Sequence, residues 1–369
     1  MRIESIEITN FRALQKANLK DLPALGVFVG RNGVGKSTLF DVFGFMRDAL
    51  VGNVRTALQK RGGFKEVVTR GHEKESIGFE FRFRQTPTAA QKQRRSKPPI
   101  VTYRLEVANR DGTPVVAREL LQYRRGRRGQ PWRFLDFENG AGKAIVNEDE
   151  YEGKDAQEQR EDQQLESPDI LAIKGLGQFQ KFKAASEFRR LIEGWHVSDF
   201  HITEARSTQE AGLAEHLNPS GENAALVAQY LYENHRDTFN SVLEKMKRRV
   251  PGVSNVEALE TEDGRIVLRF QDGKFKDPFI ARYVSDGTIK MFVYLLLLHD
   301  PSPHPLLCVE EPENQLYHEL LGELVEDVGG GGVDFGAVGL PDLGDVFEHL
   351  LEAGAAVAGV GRKVGAAEE

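Results

Sequence analysis

The stretch GRNGVGKST, residues 30–38, has residue types and a spacing suited to holding phosphate. Gly30, four residues and then Gly35-Lys36-Ser37 form the phosphate-loop pattern, in which glycines let backbone N–H groups turn toward the phosphates. Lys36 brings a positive charge to the β- and γ-phosphates, and the Ser37 hydroxyl is a ligand for magnesium. The predicted nucleotide-binding residues of the loop are Gly30, Arg31, Asn32, Gly33, Val34, Gly35, Lys36, Ser37 and Thr38.

A second stretch, PLLCVEEPEN at 305–314, places two carboxylates at the end of an apolar run. The apolar residues suit a strand buried on both faces, and ligands bind at the carboxyl ends of parallel strands. In a phosphate-loop protein, Glu310 would hold magnesium or its water, and Glu311 would orient and deprotonate the attacking water. The alternative is a strand that exits into a solvated acidic turn. The phosphate loop elsewhere in the chain favours the catalytic interpretation.

A third stretch, YVSDGTIKMFVYLLLL at 283–298, places Ser285, Asp286 and Gly287 in front of an apolar helix. The simplest interpretation is an N-cap, which satisfies the free N–H groups of the first turn. A serine hydroxyl and bare N–H groups at a helix start also make an anion site. The sequence therefore predicts capping here and leaves a second phosphate contact open.

The phosphate loop needs a strand before it and a helix after it. ITNF at 8–11 and GVFVG at 26–30 are typical of short strands. Helical spacing over 36–50 puts Leu39, Val42, Phe43 and Met46 on one face. These patterns predict the context that a phosphate loop requires.

Other patterns outline the rest of the chain. Alternation between 77 and 137 predicts an antiparallel meander, interrupted by a polar and basic loop at 85–99. Residues 147–168 are acidic and almost without apolar side chains, which predicts a surface linker. Helical segments are expected at 186–195 and 223–250, and a hairpin with an EDG turn at 256–273.

The composition narrows the classes of protein to which this chain could belong. The net charge of −7 over 369 residues argues against a chain that coats nucleic acid with its whole surface, although basic stretches occur at 94–97, 124–128 and 245–249. The single cysteine, Cys308, fits a reducing cytosol. We find no secretory leader and no run near the roughly 20 apolar residues that span a bilayer, so we expect a cytoplasmic protein with no membrane partner. The nine histidines show no metal-ligand spacing.

Together, GRNGVGKS, SDGT and the strand ending in EEPEN resemble the ABC-type ATPase heads of the RecF, SMC and OLD group. NFRAL at 10–14 is similar to that group's first-strand motif, which implies that Arg12 lies near the nucleotide. The resemblance runs over most of residues 1–325 and is closest to stand-alone RecF-like ATPases. It implies an α/β fold, an ABC-type P-loop ATPase head with a mixed sheet core, an antiparallel meander and a helical lobe. It also implies ATP and magnesium as cofactors and a homodimer in which Ser285 and Gly287, with Asp286 between them, meet the γ-phosphate of the other subunit.

The pattern breaks after the acidic strand. The group's switch histidine cannot be assigned in the Gly- and Ala-rich tail 329–369, which contains neither Ser nor Thr, and FKEVVTRG at 64–71 lacks the Q-loop glutamine. The tail is either a foreign or frame-shifted end, or a divergent ending that still packs as a short strand and helix. The predicted organisation is 1–146 for the first part of the ATPase lobe, 147–168 for the linker, 169–299 for the helical lobe, 300–328 for the acidic strand and its helix, and 329–369 for the tail.

Two functions follow from these features. The first is an ATPase whose ATP-driven dimer contacts DNA in repair or phage defence, with Glu310 and Glu311 as catalytic residues and Ser37 and Glu310 as magnesium ligands. The second is a catalytically weak, ATP-responsive scaffold that recruits a partner nuclease or another effector. An energy-coupling transporter subunit fits less well, because the chain lacks a longer signature and a Q-loop. A GTPase would need an NKxD motif, which is absent.

Overall fold

The structure is a computed structural model that describes residues 1–31, 33–85, 100–124, 130–150 and 157–312, with two short strands at 335–339 and 358–359. The chain divides into two compact units. Among the described residues, 1–24 and 30–195 belong to the first unit, and residues 25–29 and 196–312 with the strands at 335–339 and 358–359 belong to the second.

The strands and helices of the described residues have the following bounds. The strands are β1 (Arg2–Phe11), β2 (Leu14–Leu19), β3 (Leu25–Val29), β4 (Ile77–Arg84), β5 (Ile100–Arg110), β6 (Thr113–Arg124), β7 (Trp132–Glu138), β8 (Ala141–Ile145), β9 (Arg160–Gln164), β10 (Trp195–Ser198), β11 (Gln209–Glu210), β12 (Val253–Glu260), β13 (Arg265–Asp272), β14 (Phe279–Ile280), β15 (Leu306–Val309), β16 (Phe335–Gly339) and β17 (Ala358–Gly359). The helices are α1 (Lys36–Val51), α2 (Val54–Gln59), α3 (Phe64–Val67), α4 (Ala172–Leu176), α5 (Lys183–Glu193), α6 (Ile202–Ala205), α7 (Ala224–Asn234), α8 (Arg236–Arg249) and α9 (Asp286–Leu298).

The first unit is built on a large antiparallel sheet. Its strands, as far as the structure describes them, run in the order β2-β1-β4-β5-β6-β7-β8-β9. The meander predicted over 77–137 is confirmed as β4 to β7, in which inward residues such as Phe79, Phe81 and Phe83 alternate with outward polar ones. The sheet extends beyond this prediction on both sides.

The predicted linker at 147–168 is partly wrong. Residues 160–164 of this segment form β9, which pairs with β8 at the edge of the sheet. The sequence REDQQ gives no apolar alternation, because the strand is held by backbone hydrogen bonds while most of its side chains face water. The polar composition of residues 147–168 correctly indicated that the segment lies at the surface, but it did not indicate that part of it forms a strand.

Helix α1 packs its apolar face into an aromatic core. Leu39, Val42, Phe43 and Met46 are buried, as predicted. Phe43 meets Trp195 edge to face, with ring centroids 5.5 Å apart. The helix predicted at 186–195 spans 183–193 instead and ends before Trp195, which begins a strand.

The second unit contains a five-stranded sheet in the order β10-β15-β17-β3-β16 among the described strands. β17 is antiparallel to both β3 and β15, so β3 and β15 run in the same direction. Leu25 and Leu307 both pair with Gly359, which sets the two strands at the same level. β16 from the tail pairs parallel with β3 along all five residues, which supports a tail that packs as a strand.

The rest of the second unit is a helical lobe with a smaller sheet. The predicted hairpin is confirmed as β12 and β13, and Gly264 takes the left-handed conformation at its turn. The helical segment predicted over 223–250 breaks at His235 into α7 and α8. Helix α9 is buried along almost its whole length. No described helix is long and apolar enough to cross a membrane.

Candidate nucleotide site

The phosphate loop leaves β3 at Gly30 and enters α1 at Lys36. Gly33 and Gly35 have φ angles of +86° and +100°, which favour glycine. Gly35 occupies the N-cap position of α1 and offers no side chain to its first turn. The first intrahelical bond runs from the Leu39 N–H to the Gly35 carbonyl, so the preceding amides of the turn have no acceptor within the helix. This geometry suits a phosphate group.

The Lys36 side chain folds back over its own loop. Its ammonium donates to the carbonyl oxygen of Gly30 and, at 3.1 Å, to that of Arg31. The lysine is half-buried, while Ser37 beside it is exposed. Lys36 is therefore held at the mouth of the loop, where its charge can reach a phosphate, and Ser37 offers an oxygen of the kind that magnesium prefers.

The segment after β1 lies against the phosphate loop. A Cβ placed on Gly35 would come within 3.0 Å of Leu14 Cδ2 and 3.9 Å of Ala13 Cβ, so the NFRAL segment packs directly on the loop backbone. Arg12 sits in the left-handed region at φ +49°, and its N–H donates to the Val67 carbonyl at 2.6 Å. A strained non-glycine residue held by its neighbours is typical of functional sites.

The Arg12 guanidinium is oriented by an ion-pair network that sequence reasoning missed. Arg12 Nη2 lies 3.1 Å from Asp41 Oδ2 on α1. The other oxygen of Asp41 accepts from Arg61 Nε at 2.7 Å, and Arg61 also contacts Asp48 at 2.7 Å. Burial alone would raise the pKa of Asp48, but hydrogen bonds from Lys60 and Arg61 outweigh it and lower that pKa. The members lie far apart in sequence, so no local motif marks them.

The two predicted catalytic carboxylates follow β15. The Glu310 N–H donates to the Ser198 carbonyl at 2.9 Å, which ties the strand end to β10. Glu311 is exposed and, like Arg12, has a positive φ, here +43°, a conformation that is strained for a residue with a Cβ. Burial and then the Glu310 charge raise the pKa of the Cys308 thiol, so Cys308 is an inert core residue. Because β3 and β15 run in the same direction, their carboxyl ends, Val29 and Val309, lie at the same edge of the sheet of the second unit.

A buried lysine connects the acidic turn to α9. Lys290 is only 3% exposed, and its ammonium donates to the Glu311 carbonyl at 3.1 Å. The same ammonium lies 5.7 Å from the centre of the Tyr294 ring. In sequence, Lys290 is one polar residue in an apolar helix and could have been noticed for that reason.

The N-cap predicted at Ser285 is confirmed. Ser285 Oγ accepts from the Thr288 N–H at 3.3 Å and lies 2.7 Å from the Thr288 hydroxyl. Arg206, which the sequence did not indicate, pairs with Asp286 at 2.5 Å and donates to the Val284 carbonyl. Ser285 itself is exposed.

Some residues singled out in the sequence lie outside the described part of the chain. They are Asn32, the basic stretch 94–97 and most of the basic stretch 124–128. The third basic stretch, 245–249, forms the basic end of α8.

Comparisons with known proteins agree with this architecture. Residues 26–332 match the family described as "AAA domain, putative AbiEii toxin, Type IV TA system". The fold is similar to the crystal structure of the SmcHead bound to the C-winged helix domain of ScpA, with a TM-score of 0.50 and 13% identity over 92% of this chain and 90% of that one. An Smc head domain with an extended coiled coil, bound to the C-terminal domain of ScpA from Pyrococcus furiosus, aligns with a TM-score of 0.44 and 13% identity over 92% and 89% of the two chains. Curated proteins gave no match. The predicted ABC-type P-loop head fold is confirmed.

Proposed function

The chain belongs to this AAA-domain family, and from that premise we propose that it binds and hydrolyses ATP as a magnesium-dependent homodimer of the RecF and OLD class. The observation that carries the proposal is the sheet of the second unit, in which β3 leads into the phosphate loop and the parallel β15 leads into Glu310 and Glu311. A loop for the phosphates and a pair of carboxylates at one sheet edge is the minimal equipment for phosphoryl transfer to water.

Each residue has a role in this proposal. The amides at the start of α1 and the Lys36 ammonium bind the β- and γ-phosphates, and Arg12, oriented by Asp41, adds a second positive charge. Ser37 and Glu310 would hold magnesium, which when bound neutralises charge on the phosphates. Glu311 accepts the proton of the attacking water, and Lys290 holds its backbone in position.

The dimer is supported by the exposure of Ser285 at the start of α9. A helix start that faces solvent is available to a phosphate held by a second copy of the chain. Ser285 and Gly287 contact the γ-phosphate in trans, and Asp286 with Arg206 fixes the turn that presents them. ATP then joins two chains, and hydrolysis releases them.

The biological setting we propose is DNA repair or phage defence in the cytoplasm. The family description names a toxin–antitoxin system, which supports the defence alternative. A weakly catalytic scaffold that recruits a nuclease is the second candidate, favoured by the absence of an assignable switch histidine and Q-loop glutamine in the sequence. Repeated turnover by the purified protein alone would reject the scaffold.

A mixing experiment tests the trans arrangement. Lys36→Ala and Ser285→Arg chains are each expected to be inactive, because every site in either homodimer is damaged. In the mixed dimer both defects fall in one site and the other site is intact. Random pairing should then restore up to about a quarter of the wild-type ATPase rate, since half of the dimers are mixed and each has one intact site.

The matched control mixes Lys36→Ala with Glu311→Gln. Both residues serve the site of their own chain, so each site of the mixed dimer keeps one defect and no activity should return. Alone, Glu311→Gln should accumulate an ATP-bound dimer in sedimentation velocity. A strictly monomeric Glu311→Gln protein at saturating ATP would refute the proposal.

A further inference from the structure

An exposed aromatic strip lies between β13 and the start of α9. We define the aromatic strip as residues 274–283, KFKDPFIARY. Phe275 is 55% exposed, Phe279 39% and Tyr283 73%. Large aromatic side chains at such exposure on neighbouring positions mark a binding surface rather than a core. None of these residues has a part in ATP binding as described above.

The strip is held in a defined conformation. Its two-residue strand β14 pairs with β13 through Phe279 with Phe270 and Ile280 with Arg269. The Gln271 side-chain amide donates to the Phe275 carbonyl at 2.6 Å, and the Lys274 N–H donates to Asp272 Oδ1 at 2.8 Å. The surface is thus preorganised, which lowers the entropy lost on binding.

The aromatic rings of the strip are arranged to offer a face to solvent. Phe275 and Phe279 meet edge to face, with ring centroids 5.3 Å apart and an interplanar angle of 85°. The edge of one ring covers part of one face of the other, and both residues still keep solvent-exposed surface. Tyr283, the most exposed of the three, follows at the other end of the strip.

Positive charge is interleaved with these rings. Three cations of the strip, Lys274, Lys276 and Arg282, are exposed. Their side chains form no ion pair or hydrogen bond with the described residues. One carboxylate, Asp277, lies among them. The strip therefore has an excess of two positive charges on a protein whose net charge is −7. Local positive charge against an overall negative charge indicates a polyanionic ligand.

From these observations we propose that the aromatic strip binds single-stranded nucleic acid. Bases have flat faces that stack on Phe and Tyr only when they are unpaired, and the phosphates between them meet lysine and arginine. A duplex would use the charges but not the rings. The aromatic strip would supply the contact with nucleic acid that the proposed function needs. Its biological setting therefore rests on that proposed function.

The test measures fluorescence anisotropy of a labelled oligothymidine of about 15 nucleotides, a size that spans one binding site. Phe275→Ala and Tyr283→Ala should each weaken binding about 10-fold or more, as expected for loss of one stacked base. Lys274→Ala with Lys276→Ala should lower the slope of log affinity against log salt by about 1.4. Phe179→Ala is the matched control, because Phe179 is a 59% exposed aromatic residue of the first unit, and it should change affinity less than about twofold.

Oligouridine of the same length and a DNA duplex complete the design. Tighter binding of either single strand than of the duplex supports the proposal, and the difference between the two single strands shows whether DNA or RNA is preferred. Equal or tighter binding of the duplex overturns the proposal, and so does wild-type affinity in Phe275→Ala and Tyr283→Ala. Altered dimer formation in these variants with unaltered oligonucleotide affinity would assign the strip to a second copy of the chain.

ATP binding is measured on the same proteins to separate the two proposals. The strip variants should keep wild-type ATP affinity, and Lys36→Ala should keep oligonucleotide affinity without ATP. If wild-type protein binds the oligonucleotide but does not hydrolyse ATP, the proposed ATPase function is rejected and the proposal of single-strand binding is supported. If it hydrolyses ATP but does not bind single strands, only the proposal of single-strand binding is rejected.

Discussion

The starts of α1 and α9 are both predicted anion sites, yet they differ in how their free amides are satisfied. At α1 the cap residue is Gly35, which provides no side-chain acceptor. At α9 the Ser285 hydroxyl accepts from the Thr288 N–H, and Arg206 pairs with Asp286 on the same turn. The first start has no side-chain acceptor for its amides, whereas at the second start the Ser285 hydroxyl already occupies one amide, that of Thr288.

Each helix also contains a lysine that donates to loop carbonyls, and these lysines differ in burial. Lys36 is half-buried, so its ammonium can exchange a carbonyl for a phosphate. Lys290 is buried and contacts the Glu311 carbonyl, so its ammonium serves the structure of the acidic turn. The comparison teaches that ATP should bind first to the α1 start, with the α9 start engaging it afterwards. The following predictions test this difference.

The largest expected effect comes from Glu119, a buried carboxyl group at the start of α4 whose charge state changes near neutral pH. Its carboxylate accepts from the Ala172 and Ile173 N–H groups at the start of α4 and from Tyr103 at 3.0 Å. Burial raises the pKa of Glu119 to about 7, although these hydrogen bonds oppose the shift. Between pH 4.5 and about 7 the unfolded chain has lost this proton while the folded chain keeps it, so stability should fall by about 3 kcal/mol as pH rises.

Glu119→Gln should remove this trend, because the amide does not titrate. Thermal melts from about pH 5 to about pH 8 measure the effect, and Glu66→Gln, which changes an exposed carboxylate, should retain it. An unchanged pH trend in Glu119→Gln would show that the buried carboxylate is not its source.

Gly35→Ala should weaken ATP binding more than Gly33→Ala. Both residues have positive φ, which costs a residue with Cβ about 1–3 kcal/mol. The new Cβ at Gly35 would also press on Leu14 at 3.0 Å, whereas at Gly33 it would meet no atom within 4 Å. Titration with a fluorescent ATP analogue measures both affinities. Equal losses would mean that contact with the NFRAL segment does not shape the loop.

Lys290→Met should lower kcat about 10-fold with little change in KM, because Glu311 loses the contact that holds its strained backbone. Methionine fills a similar volume and removes a buried charge, so the melting temperature should change little. Lys247→Met, at an exposed position on α8, is the control and should leave kcat unchanged. A loss of stability without a loss of kcat would show that Lys290 contributes to packing and does not position Glu311 for catalysis.

The smallest effect is expected for Ser285→Ala. Loss of the cap should destabilise the protein by about 1 kcal/mol, while the ATP affinity of the monomer stays within about twofold of wild type. Ser285→Thr keeps an acceptor and should retain stability. If Ser285→Ala weakens ATP binding to the monomer as strongly as Lys36→Ala, both helix starts act in one chain and the distinction drawn between them is wrong.

Prediction from the sequence succeeded where a pattern is local. The strand and helix that flank the glycine-rich loop, the meander, the hairpin and the Ser285 cap all depend on residues within one or two turns or strands of each other. It was wrong for 160–164, whose strand is fixed by pairing with β8, and it missed the break at His235. The domain boundaries and the catalytic roles stay predictions.

The sequence by itself determined which segments could bind phosphate, cap a helix or present carboxylates, because each of these depends on side-chain type and short spacing. Only the tertiary structure decided that β3 and β15 run in parallel, that Asp41 and Arg61 orient Arg12, and that Lys290 contacts Glu311. Such contacts join residues whose separation along the chain has no periodicity, so they arise from packing of the whole unit rather than from any local preference.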